Sequence, residues 1–405
     1  MTGLPAATAI HPRLYRLANA GLPKLWAAGL SPPADLDPAR LFTQARAKAG
    51  LDDFGADDGW RERLAILLEA LTSEARLNPI GLTIAHGTLI NRLADRLRLV
   101  EWKKRKPDVF QQPLSAPVII CGHMRSGTTR LQRLLACDDR FQHMRLFETL
   151  SPVPPLASPD RRMIWARFGL RFIGWANPGT QHAHPTAALE ADEETGLLEF
   201  TLWGAQIEAQ RRVPSFARHC ETADATVVYQ TFADLLRLIG WHRGHVAATP
   251  WLLKSPQYLQ DLPALTAALP GARLVFVSRA PAALVASGCS LVWNQMVVQS
   301  DEVDPLWIGR EWLAKTKLRE ARARDFAKRY PAHLQFRTGF EAMDADWRCE
   351  LRRLYDFLDL ELTPALLARM EDYLARAARE DGHTRHRYRL SDFGVSEDEA
   401  AAALS

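Results

Sequence analysis

Apolar residues are spaced in two ways along this chain, and the change of spacing divides it. Between residue 38 and about residue 104 the period is helical, with Trp60, Leu64, Leu67 and Leu68 at i, i+4, i+7 and i+8 and no sustained two-residue alternation. That span predicts a helical cap. From Pro117 onward short apolar runs take over, and Val118–Cys121, Trp251–Lys254, 274–277 and 334–338 read as strands. Helical patterns lie between them. Leu131, Leu134 and Leu135 share one face, an Ala/Leu helix after Pro263 ends at Pro270-Gly271, and residues 347–358 carry Leu351, Leu354, Tyr355 and Leu358 on one side. Residues 151–250 hold long helical patterns with few strand signals. Residues 1 to about 38 are rich in Pro, Ala and Gly and read as a loosely docked arm. Within it 14–30 is mildly amphipathic, with Trp26; packing on the protein's own core is the expected use, contact with a membrane or partner the alternative.

The 405 residues suffice for one large domain or a domain with a helical extension, and 47% hydrophobic content suits a globular chain. A formal net charge of +4 does not argue for a nucleic-acid partner. The run Lys103-Lys104-Arg105-Lys106 is expected to be solvated surface. Cys121, Cys137, Cys220, Cys289 and Cys349 are scattered, odd in number and without C-x-x-C spacing, so reduced thiols and a cytoplasmic setting are expected rather than disulfides or zinc. No apolar run is long enough for a membrane span, and no charged n-region precedes an unbroken apolar stretch as in a signal peptide.

The densest chemistry lies at the first strand. Val118-Ile119-Ile120-Cys121-Gly122-His123-Met124-Arg125-Ser126-Gly127-Thr128-Thr129 reads as a buried strand, a glycine-bounded turn and a helix start. Backbone N–H groups and the positive end of the helix dipole then converge on one point, a natural anion site. G-x-x-x-x-G-K-[ST] would place lysine after the second glycine, but here Thr128 follows Gly127 and the cation is Arg125, two residues earlier. An ATP or GTP hydrolase is correspondingly disfavoured. A second segment, Arg273 to Pro281, reads as a strand ending in Arg279, whose planar fork matches phosphate oxygens. Pro281 can open a helix, and Ser287 follows Arg279 by eight residues, about two turns along it.

The R-S-G-T-T loop together with the Arg279…Ser287 pair resembles the sulfotransferase superfamily that uses 3′-phosphoadenosine 5′-phosphosulfate (PAPS). Weaker pieces resemble its bacterial family 3 branch: Leu51-Asp52-Asp53-Phe54-Gly55, Asn78-Pro79-Ile80-Gly81, Phe147-Glu148-Thr149-Leu150-Ser151-Pro152, His184-Pro185 with the acidic run from Glu190 to Glu194, Trp251-Leu252-Leu253-Lys254-Ser255-Pro256, and Arg387-Tyr388-Arg389-Leu390-Ser391-Asp392-Phe393-Gly394. The likeness spans roughly residues 40 to 400. It implies an α/β fold, a P-loop-like three-layer sandwich around a central parallel sheet, with an N-terminal arm and helical cap over 1–110, an α/β domain over 111–405 and an acceptor-binding helical insertion over 151–250. It implies PAPS as sulfuryl donor, no metal, and a small-molecule or lipid-like acceptor, with no nucleic acid and room for a homo-oligomer.

Site roles follow from the same resemblance. Arg125, Ser126, Gly127, Thr128 and Thr129 would hold the 5′-phosphosulfate, Arg279 and Ser287 the 3′-phosphate, and Tyr388 or Arg389 a late basic loop over the nucleotide. Lys254, at a strand end facing the crevice of an α/β sheet, would stabilise the bridging oxygen or the sulfuryl group. The general base stays open between Glu148, a histidine of the pair His182 and His184, and a residue of the acidic run Glu190, Asp192, Glu193 and Glu194. Two other classes also stay open: a P-loop small-molecule kinase, which would need Mg²⁺ and a lysine at the phosphates, and a non-catalytic nucleotide-binding protein.

Overall fold

The computed structural model describes residues 4–5, 10–157, 159–177, 186–245, 248–380 and 389–405. Three short apolar segments and two more polar edge strands assemble a sheet: β1 (Val118–Cys121), β2 (Gln142–His143), β3 (Trp251–Lys254), β4 (Arg273–Ser278) and β5 (Gln335–Gly339). The order is β2-β3-β1-β4-β5, and every pairing is parallel. Central β1 pairs Ile120 with Lys254 on one side and with Val275 on the other.

Side chains alternate across a strand, so each apolar run feeds two cores. Ile119, Cys121, Leu253, Leu274 and Phe276 pack on one face, and Val118, Ile120, Leu252, Val275 and Val277 on the other. Both faces are covered by helices, which gives the expected three layers. This is why the central strands read as unbroken hydrophobic runs rather than alternating ones.

The N-terminal helices are α1 (Arg13–Ala27), α2 (Pro38–Ala49), α3 (Trp60–Ser73), α4 (Pro79–Arg105) and α5 (Pro107–Gln111). Asp37 and Asn78 cap α2 and α4, each followed by a proline in the first turn, as the sequence rules require. Trp60, Leu64, Leu67 and Leu68 of α3 are all buried, as their spacing predicts. The arm is not merely draped. In α1 the Tyr15 side chain is fully buried and its hydroxyl donates to the Val298 carbonyl at 2.6 Å. Leu22 packs beside Tyr15 and Trp26 is half-buried, so the segment does pack on the core as expected, while Leu14, Leu17 and Leu25 of the same helix face outward.

After β1 come α6 (Thr128–Leu135), then β2, α7 (Leu146–Leu150), α8 (Arg162–Ala176), α9 (Thr195–Phe200), α10 (Ala205–Gln210), α11 (Pro214–Thr222) and α12 (Thr226–His242). All the helices from α7 to α12 lie between β2 and β3. Then follow α13 (Tyr258–Ala268), α14 (Pro281–Met296), α15 (Pro305–Ala327), α16 (Phe340–Phe357), α17 (Pro364–Glu380) and α18 (Glu397–Leu404). The helix expected over 347–358 begins earlier, at Phe340, and leaves helical geometry at Asp346 (φ −151°, ψ 82°). The strand expected from residue 334 begins one residue later, after a 3₁₀ turn at Ala332–Leu334. No helix among the described residues is long and apolar enough to cross a membrane.

Candidate functional site

The loop between β1 and α6 lies at the carboxyl end of the central strand, where open α/β sheets place their ligands. Two residues take left-handed backbone there, Arg125 (φ 69°) and Gly127 (φ 92°). At Gly127 a Cβ would lie 2.8 Å from the Phe340 ring, so glycine meets both the dihedral and the space. Ser126 is fully buried and spends its hydroxyl on the His123 carbonyl at 2.8 Å, so its side chain shapes the turn. The first turn of α6 leaves the Thr128 and Thr129 N–H groups without intrahelical acceptors.

Strain at Arg125 has a visible result. Its carbonyl accepts from Arg279 Nη1 at 2.7 Å, and its own Nε donates to Ser287 Oγ at 2.9 Å. Arg279 directly follows β4 and Ser287 lies on α14, so the two segments singled out in the sequence meet in space. The Arg279 guanidinium also stacks over Phe340, 4.2 Å from the ring centroid, while Glu341 Oε1 accepts from the Ala280 N–H at 3.0 Å. Beside the ends of β1 and β4 a cavity of about 300 Å³ is lined by Gly122, His123, Ser278, Arg279, Glu320 and Arg324. His123 Nε2 and Glu320 Oε2 are paired across it at 3.0 Å.

Lys254 closes the other side. It ends β3, is 1% exposed, and directs Nζ to Thr129 Oγ1 at 3.1 Å and Glu193 Oε1 at 2.5 Å. Its backbone N–H donates to Glu194 Oε2 at 2.6 Å, and Tyr258 O–H donates to the same oxygen at 2.7 Å. Burial pushes the Glu194 carboxyl up to about 8, against the opposing effect of those two bonds and of Lys254. Its other oxygen, Oε1, is buried with no hydrogen-bond partner. A protonated carboxyl suits that half-satisfied setting. Glu193 differs: its side chain is 21% exposed and pairs with Lys254.

The acidic run is docked on α6. Gln132 Nε2 donates to the Asp192 carbonyl, Arg133 pairs with Glu190, and Thr186 Oγ1 donates to Asp192 Oδ2. Gly196, two residues beyond Glu194, lets α9 touch α7 backbone to backbone; a Cβ there would lie 1.8 Å from the Thr149 carbonyl oxygen.

Glu148 is not drawn into this group. It is 2% exposed, forms a two-point ion pair with Arg243, and accepts the Arg145 N–H at 3.1 Å as the third residue of α7. Arg243 also donates to the His143 carbonyl and lies over the Trp251 ring, which places the pair beside the first residue of β3, whereas Lys254 is its last. No hydrogen bond links Glu148 to Lys254 or Thr129 among the described residues. Neighbouring His143 is held down to about 4, chiefly by burial and then by Arg243 and Arg145.

His182, His184 and Tyr388 lie outside the described residues. Arg389 is exposed and opens the 3₁₀ turn Leu390–Phe393, its N–H donating to Asp392 Oδ2. Phe340, Tyr258 and Glu194's separate role are not evident from sequence spacing. The available signal for Phe340 is position: it follows β5 directly, as Arg279 follows β4.

The geometry is that of a cationic cradle facing a lysine–carboxylate pair, and comparisons with known proteins agree on its family. Sulfotransferase STF1 from Mycobacterium tuberculosis H37Rv superposes with a TM-score of 0.79 at 27% identity, over 93% of this chain and 100% of that one. Sulfotransferase STF9 from Mycobacterium avium gives 0.79 at 23% identity, over 91% and 94%, a likeness of fold. Among curated proteins none matches. The model of the sulfotransferase family matches residues 117–364, from the first residue before β1 to the start of α17, and so takes in the loop, Lys254, Arg279 and Ser287 alike: the chain belongs to the sulfotransferase family.

Proposed function

We propose that this sulfotransferase moves a sulfuryl group from PAPS to a hydroxyl or amine of a small-molecule or lipid-like acceptor. The observation that carries the reading is the meeting of Arg125, Arg279 and Ser287 at one side of the loop while Thr129 meets Lys254 at the other. A donor with two separated phosphates needs two such contacts. A single phosphoryl tail needs only one.

In this reading Arg279 and Ser287 hold the 3′-phosphate, and Phe340 offers the adjoining aromatic face. Gly127, Thr128 and Thr129 hold the 5′-phosphosulfate through backbone N–H and hydroxyl donors, with Arg125 balancing charge on the leaving phosphate. PAPS supplies an activated sulfur with 3′,5′-ADP as leaving group. The acceptor oxygen forms the new S–O bond as the bond between sulfur and the bridging oxygen breaks. Lys254 stabilises that bridging oxygen, and Glu193 takes the acceptor proton. Glu193 is the residue of the acidic run whose part-exposed carboxylate pairs with Lys254; Glu148 is committed to Arg243.

Thermal shift tests the donor. At about 100 times its dissociation constant, 3′,5′-ADP adds roughly 2.7 kcal/mol of apparent stability. Stabilisation by ATP with Mg²⁺ but not by 3′,5′-ADP overturns the reading in favour of a kinase.

A further inference from the structure

Two helices turn apolar stripes away from the protein. In α8, Ile164, Trp165, Phe168, Phe172 and Trp175 fall within about 100° of arc around the helix axis. They are 47%, 68%, 60%, 38% and 37% exposed, while Ala166 on the opposite side is buried. In α1, Leu14, Leu17 and Leu25 are 66%, 58% and 43% exposed, and Tyr15 alone points fully inward. The helices meet where His11 Nδ1 contacts the Ala176 carbonyl at 3.3 Å and the Trp175 ring stands 6.0 Å from the Tyr15 ring.

The charged residues within the two helices have one sign, with Asp160, paired to Arg162, just before α8 and Asp301 beside Asn19 of α1 as the neighbouring carboxylates. Arg13, Arg16 and Lys24 on α1, and Arg161, Arg167 and Arg171 at α8, are all exposed, and neither helix contains an acidic residue. Trp, Phe and Leu facing outward between arginines and lysines is the composition of a helix that lies in the plane of a lipid–water interface. Cations there gain further from anionic headgroups. A second copy of the chain fits less well, because a twofold contact would set this predominantly cationic surface against itself.

We propose that α1 and α8 together form a docking face for an anionic lipid bilayer, with the aromatic and leucine stripes entering the headgroup boundary and the flanking arginines contacting lipid phosphates. Docking of this kind does not depend on the transfer reaction, and its test needs no donor nucleotide. The full chain is floated with phosphatidylcholine vesicles, with or without about 30% phosphatidylglycerol. It should rise with the anionic vesicles, hardly at all with neutral ones, and less in about 0.5 M salt.

Joint Trp165→Ser and Phe168→Ser substitution should lower the partition coefficient on the order of 100-fold. Joint Arg167→Gln and Arg171→Gln should lower it about 30-fold. All four side chains are exposed, so melting temperature should stay near that of the wild type. If the aromatic pair misfolds, Leu14→Ser with Leu17→Ser tests the same face from the other helix. Failure of the wild type to float with anionic vesicles overturns the proposal, as does undiminished flotation of these variants. So does a wild-type dimer that stays with the soluble fraction and becomes monomeric in the Trp165→Ser, Phe168→Ser variant.

Discussion

The two sides of the crevice are built from different kinds of charge. Around Ser287 stand two guanidiniums, Arg125 and Arg279, tied to each other through a backbone carbonyl. Arginine keeps its proton at any working pH, so this side is a fixed positive field suited to holding an anion. Around Thr129 stand Lys254, Glu193 and Glu194, where ammonium meets carboxylate and one carboxyl is pushed up to about 8 by burial. Under the proposed function the first side grips the donor and the second carries the chemistry, and mutants on the two should fail in different ways.

The largest effect is expected on the chemical side. Glu193→Gln should lower transfer of ³⁵S from labelled PAPS to extract acceptors by about 10²–10⁴, with 3′,5′-ADP affinity retained. Transfer at the wild-type rate removes Glu193 from the role of base. Next comes a control on the carboxylate outside the crevice. Glu148→Gln strips the charge from a buried pair and should cost roughly 3 kcal/mol of unfolding free energy, while transfer per folded molecule stays within a few fold. A stable variant with collapsed transfer would return the base to Glu148.

On the gripping side, Arg279→Ala should weaken 3′,5′-ADP by roughly 10–100-fold, the loss of a charge-assisted contact, and leave adenosine 5′-phosphosulfate nearly unaffected. Equal weakening of both nucleotides breaks the assignment. A further effect is a slope. Glu194 binds its proton more tightly folded (about 8) than at the ordinary 4.5, so its contribution to stability is complete below pH 4.5 and is lost as pH rises through about 8. Wild-type stability should fall across that window relative to Glu194→Gln, by at most about 1.4 kcal/mol per pH unit. Urea unfolding of both proteins between about pH 5 and pH 8 measures it, and parallel curves would refute a buried neutral carboxyl.

Much of this architecture is legible in residue order. The strands β1, β3 and β4 announce themselves because both faces of a central parallel strand are buried, which leaves no polar residue to obscure them. Edge strand β2 is two polar residues long, Gln142 and His143, and carries no such signal. The loop is legible because an anion cradle needs glycine and hydroxyls at fixed positions, and Arg279 and Ser287 because eight residues separate them on one strand–helix unit. Which glutamate faces Lys254 is not legible. Glu148 follows Phe147 and Glu193 sits inside an acidic run, and only the fold shows that one meets Arg243 and the other Lys254. The outward stripe of α1 is not legible for a similar reason: its spacing shows a stripe but not which side of the helix the protein claims, and Tyr15 with Leu22 decides that.

Bare backbone at Gly196 has a further consequence. The stretch bearing Glu193 and Glu194 is seated by two peptide chains in direct touch, with no side chain between them to yield. A methyl group added there would act as a wedge, prising α9 from Thr149 and tilting both glutamates off their partners. The seating of the lysine–carboxylate pair thus hinges on an atom that position 196 does not have.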